Sequence, residues 1–193
     1  MLPGALVRLL LLTLGVGACS PGPPGIHLLD LEDRPVSALP GPGDPTTVFV
    51  FTSTDCPIAN RYAPELKRLH DRFAREGVRF WSVYPDPSEL RGAIRSHAQS
   101  LGDGFAALRD PRHELVRLSG ASVTPEAAVF VAGADGPRLV YRGRIDDRNV
   151  DFGRTRPAPT SHDLEDVLVA IGSGKAVPTR TRAAIGCAIP PLE

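Results

Sequence analysis

The sequence predicts an α/β domain, a central mixed β-sheet flanked by helices on both faces. Two short runs rich in β-branched and aromatic residues, TTVFVFT at 46–52 and VRFWSVY at 78–84, read as buried strands. Between them Ile58, Tyr62, Leu66, Leu69 and Phe73 recur at steps of four and three, the apolar stripe of a helix. Further on, two apolar runs joined by a Gly- and Pro-containing turn read as a hairpin, and an amphipathic stretch follows them.

Taken in order, residues 1–18 (MLPGALVRLLLLTLGVGA) place one basic residue, Arg8, ahead of an apolar block at 9–16 and end in small residues. This is the pattern of a secretory signal, and the block is too short to cross a bilayer comfortably. Val16-Gly17-Ala18-Cys19 resembles the lipobox of bacterial lipoproteins. The resemblance implies export to the periplasmic side of a membrane and a lipid anchor on Cys19, with Ser20 favouring the outer membrane. An ordinary signal peptide that contains a cysteine is the plainer alternative. SPGPPG then opens a flexible run. The chain thus divides into a leader at 1–18, a tether at 19–29, a folded domain at 30–175 and a tail at 176–193 that carries Cys187.

Within the domain, the helix that begins near Ile58 ends at Gly77, and the strand at 78–84 follows. Residues 88–101 read as a helix with Leu90, Ile94 and Leu101 inward, 105–108 as a short strand, and 111–118 as a helical turn. Thr124-Pro125 precedes strands at 127–131 and 138–145 around the turn at 133–137. Thr160 and Asp163 form a helix-start signal before Leu164, Val167, Leu168 and Ile171. The order is β-α-β-α-β-α-β-β-α.

The 193 residues have a formal net charge of zero, with 42% hydrophobic and 23% charged residues, as in ordinary globular proteins. Nothing in that balance attracts nucleic acid over long range. Of three cysteines, Cys56 and Cys187 remain beyond the leader and its edge, too few for a disulfide scaffold. The five histidines, at 27, 70, 97, 113 and 162, show no metal-ligand spacing, so no metal or other cofactor is expected.

The segment that carries chemistry is Thr54-Asp55-Cys56-Pro57-Ile58-Ala59-Asn60. Proline suits the first position of a helix, which makes Cys56 the cap and turns its sulfur toward the free amides of Ile58 and Ala59. Those amides favour a thiolate over a thiol. Asp55 opposes this effect. Arg61 either supports it or is solvated, and Tyr62 belongs to the core stripe.

This strand–TDCP–helix arrangement resembles the thioredoxin superfamily, specifically its redoxin (AhpC/TSA-like) and TlpA-like extracytoplasmic members. Cys56 stands at the attacking cysteine, Pro64 at the proline that kinks the catalytic helix, and Thr124-Pro125 at the loop whose proline is cis. The resemblance spans about residues 30–171. It implies a thioredoxin-like fold, a redox-active Cys56, and Thr124 and Pro125 as the platform for a thiol substrate.

The chain departs from these relatives in several places. Ala59 stands where dithiol thioredoxins carry the second cysteine. Phe49 and Ser53 stand where peroxiredoxins carry proline and threonine, and Thr124-Pro125 stands where they carry an arginine. Cys187 is the remaining thiol that can resolve a mixed disulfide or a sulfenic acid, as C-terminal cysteines do in some peroxiredoxins. A static Cys56–Cys187 disulfide and an unpaired tail cysteine are the alternatives.

The implied partner is a thiol- or disulfide-bearing protein, with a hydroperoxide as the alternative substrate. A non-catalytic module that binds a partner, or Cu(I) between the two cysteines, is the rival from another class. The charged segment 143–160 either uses Arg144 or Arg148 to hold an anionic partner or is simply solvated.

Overall fold

The computed structural model describes residues 25–192 apart from 103, 104, 176 and 178. In chain order its elements are β1 (Leu28–Leu29), β2 (Pro35–Val36), β3 (Thr47–Phe51), α1 (Pro57–Arg61), α2 (Ala63–Phe73), β4 (Arg79–Tyr84), α3 (Arg91–Leu101), β5 (Ala106–Arg109) and α4 (Glu114–Ser119). There follow β6 (Val123–Thr124), β7 (Glu126–Gly133), β8 (Gly136–Gly143), β9 (Asn149–Asp151), β10 (Arg154–Thr155), α5 (Asp163–Gly172), β11 (Arg180–Arg182) and β12 (Cys187–Ala188).

Successive side chains of a strand point to opposite faces, and here both faces are apolar. In β3, Val48 and Val50 enter one cluster with Leu66, Leu69 and Phe73 of α2 and Leu164 and Leu168 of α5. Phe49 and Phe51 enter another with Leu115 of α4, Leu28, Val83 and Leu108. Ala127 and Val129 of β7 repeat the first choice, Ala128 and Phe130 the second. A strand buried on both sides belongs in the middle of a sheet covered by helices. The eight-stranded order is β11-β8-β7-β3-β4-β5-β1-β2. β3, β4 and β5 run parallel, β11 runs parallel to β8, and the other neighbours are antiparallel. The mixed sheet flanked by helices is the expected thioredoxin-like α/β fold.

The helix after Cys56 is not one kinked rod. It breaks at Tyr62, which ends α1, and α2 begins at Ala63 with Pro64 in its first turn. Proline lacks the amide an unbroken helix needs there and crowds the preceding residue. α3 starts at Arg91, because Asp86 draws Ser88 into a turn through the Ser88 amide at 2.8 Å. Leu90, expected inward, is therefore 76% exposed. The Thr160 signal does not cap α5 either: His162 holds the cap position, and Thr160 gives its amide to Asp147 at 2.6 Å.

Two segments outside the span 30–175 join the sheets. Leu28 and Leu29, read as the end of the tether, pair with β2 and β5, and Leu28 is fully buried. In the tail, β11 extends the main sheet beside β8, and β12 pairs with β6. Glycines make room for both. A Cβ on Gly143 would overlap the backbone of Arg182, and one on Gly186 would overlap the carbonyl of Thr124. Among the described residues no helix is long and apolar enough to cross a membrane. The leader and the anchor at Cys19 lie outside the described residues.

Candidate active site

β3 ends at Phe51, and the turn that follows delivers Cys56 to the start of α1 as its N-cap, with extended backbone (φ −81°, ψ 107°). Pro57 occupies the first turn as expected. The Ala59 amide donates to the Cys56 sulfur at 3.4 Å, and the sulfur lies 2.9 Å from the Thr124 carbonyl, which accepts the thiol proton. Of the two amides expected at the sulfur, Ala59 makes that bond and Ile58 turns its side chain into the core. The Thr124-Pro125 peptide is cis. Cys56 is 1% exposed.

The tail completes this enclosure. β12 lies antiparallel to β6 with Cys187 opposite Thr124 and Ala188 opposite Val123. Both cysteines are free thiols. Cys187 packs against the apolar cluster that contains Cys56, on the strand residue opposite the Thr124 whose carbonyl meets the Cys56 sulfur. Burial pushes the Cys56 thiol up, but donation from the Cys187 thiol, Thr124 and the Ala59 and Cys187 amides outweighs it, so its pKa falls below the ordinary value. Cys187 moves the other way: burial, and then the neighbouring sulfur, push it up to about 11. One sulfur is thus poised to ionise while the other keeps its proton and donates it.

The remaining expected residues divide. Asn60 donates to the Thr54 carbonyl at 3.2 Å and meets His97 at 2.7 Å, and His97 in turn meets the Tyr84 hydroxyl at 2.7 Å. This chain braces the turn around Asp55, which is itself exposed. Arg61 lines a cleft of about 520 Å³ with Tyr62, Arg148, Asn149 and Thr155. Arg144 pairs with Asp163 at 2.7 Å and Arg148 with Asp146 at 3.8 Å, so both arginines of the charged segment already hold carboxylates.

Several residues near the site carry no signal in the sequence. Glu89 accepts from the Thr54 amide at 3.2 Å, and burial raises its pKa despite that bond. Asp146, whose side chain is fully enclosed, accepts the Tyr62 hydroxyl at 2.6 Å and the Arg148 amide at 2.9 Å. Elsewhere, ligand atoms of Glu65, His162 and Glu165 lie within 4.8 Å of one another. Arg68 spans both of these glutamates and Arg72 also pairs with Glu165, so the cluster is an ion-pair network.

A family model described as AhpC/TSA matches residues 24–137, which covers β3, Cys56 and the cis-proline loop. The chain belongs to the AhpC/TSA family. Its redoxin core and cysteine-bearing turn are those of that family, and the docked tail with Cys187 lies beyond the match. No curated protein matches the chain. Among solved structures, an uncharacterized conserved protein from Geobacillus kaustophilus is 25% identical, with 88% of this chain and 89% of that one covered and a TM-score of 0.71. A hypothetical protein from Sinorhizobium meliloti is 23% identical over 86% of this chain and 92% of that one, with a TM-score of 0.68. A secreted disulfide oxidoreductase of Mycobacterium tuberculosis is 21% identical over 76% and 96%, with a TM-score of 0.51, and shares the fold.

Proposed function

We propose that the chain is an exported thiol–disulfide oxidoreductase in which Cys56 attacks and Cys187 resolves. The observation that carries this reading is that the tail strand seats Cys187 opposite Thr124, whose carbonyl meets the Cys56 sulfur, with both cysteines free, one favoured as thiolate and the other held as thiol. The thiolate is the nucleophile in disulfide exchange. Cys56 attacks one sulfur of a partner disulfide, the partner S–S bond breaks, and the other partner sulfur leaves as a thiolate that takes a proton from water. Cys187 then loses its proton and attacks the Cys56 sulfur of the mixed disulfide. A Cys56–Cys187 disulfide forms and the partner leaves with both sulfurs reduced. An external dithiol returns the pair to its starting state.

Thr124 and Pro125 wall the reacting sulfur, the Ala59 amide stabilises its charge, and Asn60 holds the turn. Asp55 and Arg61 stay exposed on either side of Cys56 in sequence and make no hydrogen bond to it among the described residues. The leader pattern at 1–18 and the lipobox-like run ending in Cys19 support export and anchoring on the periplasmic side of the outer membrane. Radiolabelled palmitate incorporated in a bacterial host and lost on Cys19→Ser checks the anchor.

Dithiol-driven reduction of insulin tests the chemistry. Cys56→Ser is expected to fall to the uncatalysed background, and Cys187→Ser to stall after one turnover with a mixed disulfide visible by mass spectrometry. Full activity in Cys56→Ser would remove Cys56 as nucleophile. Hydrogen peroxide consumption dependent on Cys56, with insulin untouched, would move the substrate to a hydroperoxide.

A further inference from the structure

β6 is two residues long, and its pairing partner is the tail strand β12. The pairing is a full strand contact. Besides the Cys187–Thr124 register, the Ile189 amide donates to the Ser122 carbonyl at 3.0 Å and the Thr124 hydroxyl reaches the Cys187 carbonyl at 3.5 Å. Each tail position meets a different demand. At 186 only glycine fits, because a Cβ there would overlap the Thr124 carbonyl and press on Pro125. At 187 the residue stands opposite Thr124, whose carbonyl meets the Cys56 sulfur, and its side chain packs against the cluster that contains Cys56. At 189 an aliphatic side chain packs against the apolar cluster of Phe51, Leu115 and Ala121.

The tail also covers the cysteine it would resolve. While β12 is seated, Cys56 is 1% exposed and Thr124 is 2% exposed. With Cys56 this enclosed, a partner disulfide reaches it only after an enclosing segment moves, and β12 is the tail segment paired beside it. Its departure frees the backbone groups of β6 beside the sulfur, and an unpaired strand edge recruits another extended segment.

We infer that β12 is a built-in stand-in for the substrate, and that the partner is an extended segment of a disulfide-bonded protein with the order Gly-Cys-X-aliphatic. It adds to β6 in the register the tail vacates. This rests on the exchange chemistry proposed above and names its substrate class. Tail and partner occupy the same edge in turn: the partner strand enters, exchanges its disulfide with Cys56, peels away while still bonded through sulfur, and is released when β12 returns with Cys187.

The test uses the full chain carrying Cys187→Ser, which keeps the tail but cannot resolve. Two further variants add Gly186→Val, which clashes with Thr124, or Ile189→Pro, which removes the amide bonded to Ser122. The probes are the peptides Ala-Ile-Gly-Cys-Ala-Ile and Ala-Ile-Val-Cys-Ala-Ile, each with its cysteine as a thionitrobenzoate mixed disulfide, and Ellman's reagent itself. Release of thionitrobenzoate reports attack by Cys56. Loosening the tail is expected to accelerate the glycine peptide about tenfold, and that peptide to outrun its valine counterpart about tenfold on the loosened variants. Ellman's reagent supplies the reactivity of the exposed sulfur without register.

Equal rates for the two peptides on both loosened variants would overturn the inference, as would an unchanged rate when the tail is loosened. If Cys56 fails to react even with Ellman's reagent in any variant, the exchange chemistry itself falls, and the inference with it. Ile189→Pro introduces no clash, so it decides the matter should Gly186→Val not fold.

Discussion

The two ends of α1 bury polar groups equally deeply and put them to different uses. At the N-terminal end the Cys56 sulfur meets the Thr124 carbonyl and the Ala59 amide, with Cys187 on the strand opposite Thr124. At the C-terminal end the Tyr62 hydroxyl meets the Asp146 carboxylate at 2.6 Å and the Asn149 amide at 3.1 Å. A thiol is a weak hydrogen-bond donor and acceptor, so the first cluster can be rebuilt when a bond to sulfur forms or breaks. A short bond between a hydroxyl and an enclosed carboxylate is charge-assisted and strong. It ties the turn between α1 and α2 to the segment before β9. Burial and the Asp146 bond push the Tyr62 hydroxyl well above its ordinary pKa, so it stays a proton donor throughout the working range. One end is built to change state and the other to stay put, and the helix between them is five residues long.

Mutations at each end break or sharpen that contrast. The largest effect is expected from Asp146→Ala, which leaves the Tyr62 hydroxyl and the Arg148 guanidinium without their shared partner. Stability should fall by about 3 kcal/mol. The melting temperature should fall by about 6–12 °C. Alkylation of Cys56 in the folded protein should stay within about a factor of two, since none of its own hydrogen bonds is touched. Thermal unfolding and iodoacetamide kinetics check both halves, and a large loss of Cys56 reactivity in folded protein would show that the ends are coupled.

Tyr62→Phe deletes one bond of the same network and should cost about 1–2 kcal/mol, again without moving the thiol. Chemical denaturation measures it. The smallest effect, and the one of opposite character, belongs to Cys187→Ala. Loss of a donor worth about 1 kcal/mol to the thiolate should slow Cys56 alkylation at neutral pH about fivefold and leave the melting temperature nearly unchanged. The sign follows from the direction of the shift. A Cys56 thiol that ionises below its ordinary pKa gains reactivity as pH rises through that lowered value. Removing the Cys187 donor moves the rise to higher pH. A pH profile of alkylation shows whether the curve moves up, and a curve that stays in place would remove Cys187 from the thiolate's environment.

Much of the architecture is written in local patterns. The alternating apolar faces of β3, the Gly-containing hairpin of β7 and β8 and the four-three stripe of α2 are each set by neighbours close in sequence. The cap at Cys56 is equally local, because Pro57 suits the first turn wherever a helix starts. The helix break was marked by Pro64, though the stripe running through it concealed how complete the break is. Leu90 and Thr160 misled for a common reason. Each signal was sound by itself, and a nearby carboxylate, Asp86 in one case and Asp147 in the other, engaged the backbone first.

Composition, the leader pattern, the central strands and helices and the placing of Cys56 at a helix start were legible in the sequence alone, since periodicity and capping act over a few residues. Tertiary structure decided that the tail returns to pair with β6, that Gly186 and Cys187 sit against Thr124 and Cys56, and that Asp146 anchors Tyr62. Those contacts join positions far apart in sequence and follow no period. Only closure of the sheet brings such groups together, and only then do burial and shared protons set what each sulfur does.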